Sequence, residues 1–224
     1  MSLADTVFAG HHNNSRKPDV PDGPPLRSAL GFRNKAFPAM AELIEHETER
    51  LCLRQWQESD FKSFATLNAD PKVMEYFPEP LSGQASTEMA EKIRSLIEQR
   101  GWGFWALEIK GAESFIGFCG LHVPTATLPF SPCVEIGWRL SSAHWGKGYA
   151  SEAARGALNV AFQQLELPEI VSFSTVGNQR SRRVMERIGM KYSGQFEHPS
   201  LPENSPLRPH VLYRLRREQW GIKA

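Results

Sequence analysis

The chain has 224 residues, 41% of them apolar and 23% charged, which is enough to bury a sizeable core and excludes a collagenous or wholly disordered protein. Lys and Arg number 26 against 25 for Asp and Glu, a formal net charge of +1, and that balance argues against a dedicated nucleic-acid binder with its strongly basic surface. Cys52, Cys119 and Cys133 show no CxxC or Cys/His spacing and indicate neither a disulfide framework nor a structural metal. No apolar run approaches the roughly 18 residues of a membrane span, and residues 1–10 lack a secretory signal, so a soluble, cytoplasmic protein is expected.

Residues 1–40 hold five prolines and no sustained period. Such a stretch cannot bury enough apolar surface to offset its ordering entropy alone, and it reads as an arm, flexible or laid on another surface. His11 and His12 sit in it without a third ligand, so no metal site is expected there. The alternation in 49–56 (ERLCLRQW) then predicts a half-buried strand. Ser59 is placed to cap a helix through Asn68, ended by the turn signal Asp70-Pro71. Residues 84–99 place Met89, Ile93, Leu96 and Ile97 on one helical face. Segments 104–110 and 115–123 read as a β-hairpin about the turn 111–114, and 133–140 (CVEIGWRL) as a further strand after a Pro-rich loop. In 149–165, apolar residues recur at i, i+3 and i+4 from Ala150 to Leu165, the clearest helix in the chain. Residues 169–175 read as a β-branched and aromatic strand. Asn178 caps a second helix carrying Val184, Met185 and Ile188, and Gly189 stops it. Segments 190–196 and 210–216 supply the last strands. The fold class expected is mixed α/β with a largely antiparallel central sheet.

The segment Trp145-Gly146-Lys147-Gly148-Tyr149-Ala150 lies between a strand and the best helix. Glycines let the backbone approach a ligand, and the first amides of a helix are unpaired donors at the positive end of its dipole. A phosphate or pyrophosphate suits that place; a tight turn without a ligand suits the glycines equally. The ending of a P-loop and the third glycine of a dinucleotide fingerprint are both absent.

Taken with Glu49-Arg50-Leu51-Cys52-Leu53-Arg54, Ile116-Gly117-Phe118-Cys119-Gly120-Leu121, Val134-Glu135-Ile136-Gly137-Trp138 and Gly177-Asn178-Gln179-Arg180-Ser181, this loop resembles the GNAT superfamily of acyl-CoA-dependent N-acetyltransferases, in particular its RimJ/RimL-like branch. The resemblance covers about residues 48–220 and implies one acetyltransferase domain behind the arm. Trp145 departs from the superfamily-wide pattern, which has Gln or Arg there. By resemblance, acetyl-CoA is the cosubstrate: Trp138, Arg139 and Leu140 on a splayed strand, Trp145, Gly146, Lys147, Gly148, Tyr149 and Ala150 in the loop, and Asn178 are its expected binding residues. Lys147 adds charge near the phosphates or is simply solvated.

Acyl transfer from a thioester needs a neutral amine, a stabilised oxyanion and a thiolate that can leave. An α-amine with pKa near 7.7 loses its proton at pH 7 for about 1 kcal/mol, against about 4.6 kcal/mol for a lysine near 10.4. Ser181 matches the family's serine near the thioester sulfur and is the candidate donor to the thiolate. Glu135 in an apolar strand is the second candidate, costly to bury without a partner or a role, unless alternation turns it to solvent. His198 is the candidate base, with Arg208 and His210 in the same region as candidates for the acceptor wall. A nucleophilic cysteine is disfavoured, because the odd spacing of Cys119 and His122 sends them to opposite faces of a strand. The expected function is acetyl transfer to a primary amine, small molecule or peptide N-terminus, through a ternary complex. A non-catalytic CoA-binding module is the alternative, and the acceptor and the oligomeric state, a dimer included, stay open.

Overall fold

A computed structural model describes residues 41–221; the expected arm, with His11 and His12, lies outside them. Twelve elements follow one another: β1 (His46–Glu47), β2 (Leu51–Arg54), α1 (Asp60–Ala69), α2 (Gly83–Arg100), β3 (Phe104–Ile109), β4 (Gly117–His122), β5 (Glu135–Leu140), α3 (Tyr149–Asn159), β6 (Glu169–Thr175), α4 (Gln179–Arg187), β7 (Lys191–Glu197) and β8 (Pro209–Arg216). The strands form a sheet in the order β1-β2-β3-β4-β5-β6-β8-β7. Every neighbouring pair is antiparallel except β5 and β6. Parallel neighbours need a crossover, and α3 supplies it.

The expected elements recur with three differences. The first strand is shorter than its alternation suggests: the chain turns at Thr48, whose amide bonds Leu51 O at 2.8 Å, and adds the two-residue β1. At α1, Ser59 makes no capping bond. Asp60 Oδ2 takes the Gln57 amide at 2.8 Å instead, while Arg54 grips the same carboxylate from β2 through Nη1 and Nη2 at 2.8 and 2.9 Å. The helix over 149–165 is α-helical only to Asn159. Residues Val160–Gln164 widen into a π turn, with the Leu165 amide reaching Val160 O at 3.0 Å.

Ser82 caps α2 by accepting the Ala85 amide at 3.1 Å, and Gly101 ends it in a left-handed conformation. Trp56, Phe64, Phe115 and Phe118 build the aromatic centre of the core, the Trp56–Phe64 rings edge-to-face at 4.9 Å, and Trp56 Nε1 donates to Phe104 O at 2.7 Å. Two glycines keep β4 close to its neighbours. A Cβ on Gly120 would lie 2.0 Å from Gly103 O, and one on Gly117 would lie 2.2 Å from Arg139 O. No helix among the described residues is long and apolar enough to cross a membrane.

Candidate active site

β5 runs the full length of β4, from Gly117 opposite Leu140 to His122 opposite Glu135. Toward β6 its ladder holds a single pair, Glu135 with Val171. The Val171 amide donates to Val134 O, and Ser172 Oγ to Ile136 O, both at 3.0 Å. Beyond that point the strands part, and a cavity of about 400 Å³ opens between them. Its size falls within the range of small-molecule sites. Gly137, Trp138, Arg139 and Leu140 line one side, Ser172, Phe173 and Ser174 the other.

The glycine loop closes one end. Gly146 and Gly148 take positive φ of 76° and 84°, and a Cβ on Gly146 would meet nothing within 4 Å. The backbone amides from Gly146 to Ser151 have no acceptor among the described residues; the first helical amide to find one is that of Glu152, at Gly148 O. No side chain among the described residues caps α3. A row of free amides at a helix N-terminus, opening on a cavity, has the donor set that a phosphate or pyrophosphate needs.

That loop is held from behind. Glu152, in the first turn of α3, accepts from Thr48 Oγ1 at 2.6 Å, from the Arg50 amide at 2.8 Å and from Arg50 Nε at 2.7 Å. Arg50 also donates to Lys147 O at 3.1 Å and covers the Tyr149 ring at 4.6 Å. Burial opposes ionisation of Glu152, but the bonds from Thr48 and Arg50 outweigh it and hold the carboxyl below its ordinary value. Trp145 points back toward the open strand, its Nε1 donating to Leu140 O at 2.9 Å, and the Arg180 guanidinium lies 4.5 Å from its ring.

At the start of α4, Asn178 does cap the helix. Its Oδ1 takes the Ser181 amide at 3.1 Å, and Nδ2 donates to Ser174 Oγ at 3.0 Å across to β6. This brings Asn178 and Ser181 to the same cavity as Trp138, Arg139, Leu140, Trp145, Gly146, Gly148, Tyr149 and Ala150. Lys147 is exposed and not in the lining; only its backbone carbonyl takes part, through Arg50.

Glu135 and His198 do not line the cavity. Glu135 is fully buried at the closed end of the split, opposite His122 and Val171. His198 is buried just past β7 against Phe173, Phe196 and His210, its ring 5.0 Å from that of His210. Burial pushes the His198 imidazole down to about 4 and that of His210 to about 3. Arg208 pairs with Glu197 at 3.2 Å. Burial raises the thiols of Cys52, Cys119 and Cys133, so none is an activated nucleophile. Among the described residues no three His, Cys, Asp or Glu side chains converge as metal ligands.

Val73, Tyr76 and Phe77 from the α1–α2 loop, His144 before the glycine loop, and Arg180, Arg183 and Arg187 on α4 also line the cavity. The loop 71–83 is expected from the sequence to shape the acceptor pocket, but no single residue in it is, and His144, Arg183 and Arg187 carry no sequence expectation. The only local signal was the aromatic pair Tyr76-Phe77 in a loop otherwise free of apolar periodicity.

Residues 50–191 match the family model described as an acetyltransferase (GNAT) domain. A curated relative, FsC-acetyl coenzyme A-N(2)-transacetylase of Aspergillus fumigatus, is 30% identical over 162 residues, 69% of this chain and 68% of its own. A GNAT-family acetyltransferase structure from Bacillus anthracis superposes with a TM-score of 0.67 at 25% identity, covering 78% of this chain and 99% of that one. At 19% identity, RimJ of Mycobacterium smegmatis in complex with CoA-disulfide shares the fold with a TM-score of 0.60 over 76% of this chain and 84% of its own. With the split between β5 and β6 and the free amides at the start of α3 already in place, the family match over most of the described chain leads to one conclusion: the chain belongs to the GNAT acetyltransferase family.

Proposed function

We propose that the protein transfers an acetyl group from acetyl-CoA to a primary amine by direct attack within a ternary complex. The observation that carries this reading is the parting of β5 from β6 beyond Glu135 and Val171, with the free amides of the glycine loop at the end of the cleft. The residues fit the cosubstrate. The amides from Gly146 to Ser151 would take the pyrophosphate, and the open edge of β5 at Trp138 and Leu140 would pair with the amide-bearing pantetheine arm, whereas Arg139, expected there too, turns its carbonyl toward Gly117 of β4.

The chemistry then needs little from side chains. An amine nitrogen attacks the thioester carbon, a C–N bond forms, the C–S bond breaks, and the thiolate receives a proton. We assign that last donation to Ser181, whose amide is tied up in the Asn178 cap while its hydroxyl is left for the cavity and regains its proton from solvent. Neither Glu135 nor His198 reaches the cavity, and an imidazole held near 4 is a weak base. Removal of the amine proton is therefore given to solvent, which suffices at about 1 kcal/mol for an amine with pKa near 7.7.

Calorimetry with acetyl-CoA and thiol release in the presence of amines test the proposal. Binding together with amine-dependent thiol release is expected. Ser181→Ala should lower kcat by about tenfold or more, as loss of proton transfer does, with acetyl-CoA affinity held within about twofold. Failure to bind acetyl-CoA would refute the reading, and binding without turnover on any amine would favour a CoA-sensing module.

A further inference from the structure

Arg139 stands on β5 opposite Phe118 and is 4% exposed. Its guanidinium makes one hydrogen bond, Nη1 to Asn68 Oδ1 at 2.6 Å, and Nε has no acceptor among the described residues. The rings of Phe77 and Phe118 lie 4.2 and 5.5 Å from the guanidinium carbon. Asn68 is itself buried, and its Nδ2 donates to Ser86 Oγ at 3.2 Å, which turns the amide oxygen toward the arginine. Among the described residues the head of Arg139 is thus held by neutral groups only, Asn68 from α1, Phe77 from the α1–α2 loop and Phe118 from β4.

The same fold treats another buried arginine quite differently. Arg54 is 8% exposed, with Asp60 and Glu108 each at 2.8 Å, and the two carboxylates raise its pKa against the effect of burial. Among the described residues Arg139 has no such partner, and burial pushes its guanidinium down to about 9, still a cation at neutral pH. A cation taken out of water without a counter-charge is strongly unfavourable. It is tolerated where an incoming anion completes it, and Arg139 lines the cavity together with Phe77, Tyr76 and Val73.

The direction of approach selects the anion. Phosphates have their donors in the amides at the start of α3. Arg139 sits instead beneath the α1–α2 loop, where Phe77 packs against Leu201 from the β7–β8 loop, so two loops outside the β5 edge converge over it. The bond to Asn68 occupies Nη1 and Nε is buried, which leaves Nη2 as the nitrogen of the guanidinium that can donate to a carboxylate from the cavity.

We propose that Arg139 is a specificity residue that receives a carboxylate on the amine acceptor, so that the substrates are amines carrying a carboxylate. This rests on the acetyl-transfer reading above. The test compares α- and ω-amino acids with their carboxamides as acceptors, read by thiol release from acetyl-CoA. The free carboxylates should show kcat/KM at least about tenfold higher, the equivalent of about 1.4 kcal/mol. Arg139→Gln, which keeps a donor for Asn68 and removes the charge, should abolish the preference with acetyl-CoA affinity within about threefold. If the glutamine variant does not fold, Arg139→Lys carries the test: the charge stays, but the planar head that Asn68 orients is lost, and the preference should fall at least about threefold. Calorimetry of N-acetylated amino acids and their amides with CoA-loaded protein checks the receptor without turnover, and the carboxylates should bind about tenfold more tightly.

Equal rates and equal binding for the paired compounds overturn the proposal, as does a preference that survives Arg139→Gln. A variant that weakens CoA far more than dephospho-CoA would assign the anion to the cosubstrate and overturn it too. Loss of acetyl-CoA binding by the wild-type protein defeats the acyltransferase reading itself, whereas transfer blind to the carboxylate defeats only the role of Arg139.

Discussion

Replacing Glu152 with Gln tests whether the glycine loop is held from the far side of the domain. The carboxylate collects three donors, Thr48 Oγ1, the Arg50 amide and Arg50 Nε, between 2.6 and 2.8 Å, with Arg50 Nη2 also 2.6 Å away. A glutamine keeps one acceptor and sets an NH2 group against an arginine that can only donate. A hydrogen bond to a charged group contributes about 1.5–3 kcal/mol, but the Arg50 side chain is 43% exposed, and screening discounts that pair heavily. A net loss of about 1–2 kcal/mol results, or roughly 2–8 °C in Tm for a chain of this size. Because Arg50 also holds Lys147 O and covers Tyr149, acetyl-CoA affinity should fall about threefold to tenfold as the loop amides lose their fixed geometry.

Acid titration supplies an independent check on the same pair. The Glu152 carboxyl lies below its ordinary value in the folded protein, so its stabilisation is complete above the unfolded value of about 4.3 and is lost as pH falls through the lower folded value. Urea unfolding of wild type and Glu152→Gln should therefore differ at pH 7 and converge on acidification. A gap below about 0.5 kcal/mol at pH 7, or one unchanged in acid, would refute the reasoning, since exposed ion pairs of no consequence give such values.

Asp60→Asn should cost about 3–5 kcal/mol in urea unfolding, because it leaves the buried Arg54 short of a counter-charge. Gly117→Ala places a methyl 2.2 Å from Arg139 O at a φ of 142°; we expect about 3 kcal/mol or more of destabilisation and weakened acetyl-CoA binding by calorimetry, since pushing that carbonyl away from β4 shifts the strand whose other edge faces the cleft. His198 and His210 have folded pKa values pushed down to about 4 and about 3. The unfolded chain binds the extra protons, so stability should fall as pH drops below about 6.5, by up to about 1.4 kcal/mol per pH unit for each histidine. His210→Phe, in a site already walled by Phe173 and Phe196, should flatten that profile, and a slope left unaltered would exclude His210 as its source.

Local order was readable from the residues alone. Alternation marks β2, turn-bounded and β-branched runs mark later strands, helical spacing marks α2 and α3, and Asn178 and Gly189 bound a helix by chemistry that acts within a few residues. The glycine loop was visible for the same reason, because positive φ and a helix start are both short-range properties. Where a long-range partner competes, the local signal loses. Ser59 gives way to an Asp60 pulled by Arg54, and the apolar period of 149–165 reports which face is buried while saying nothing of the π turn at Val160–Gln164.

The site itself is a property of the tertiary structure. Glu152 and Arg50 are 102 residues apart, and Asn68 and Arg139 are 71. Strand alternation treats an arginine as an outward residue and cannot foresee that α1 and α2 would bury Arg139 against the cavity. Nor does a stretch such as EIGWRL state that its neighbour will leave it after one pair. What the sequence by itself determined was the succession of elements, the donor-rich loop and, through its motifs, the kinship with an acyltransferase family. Which candidate side chains share one cavity was decided only when distant segments met, because burial and charge compensation depend on neighbours that no local window contains.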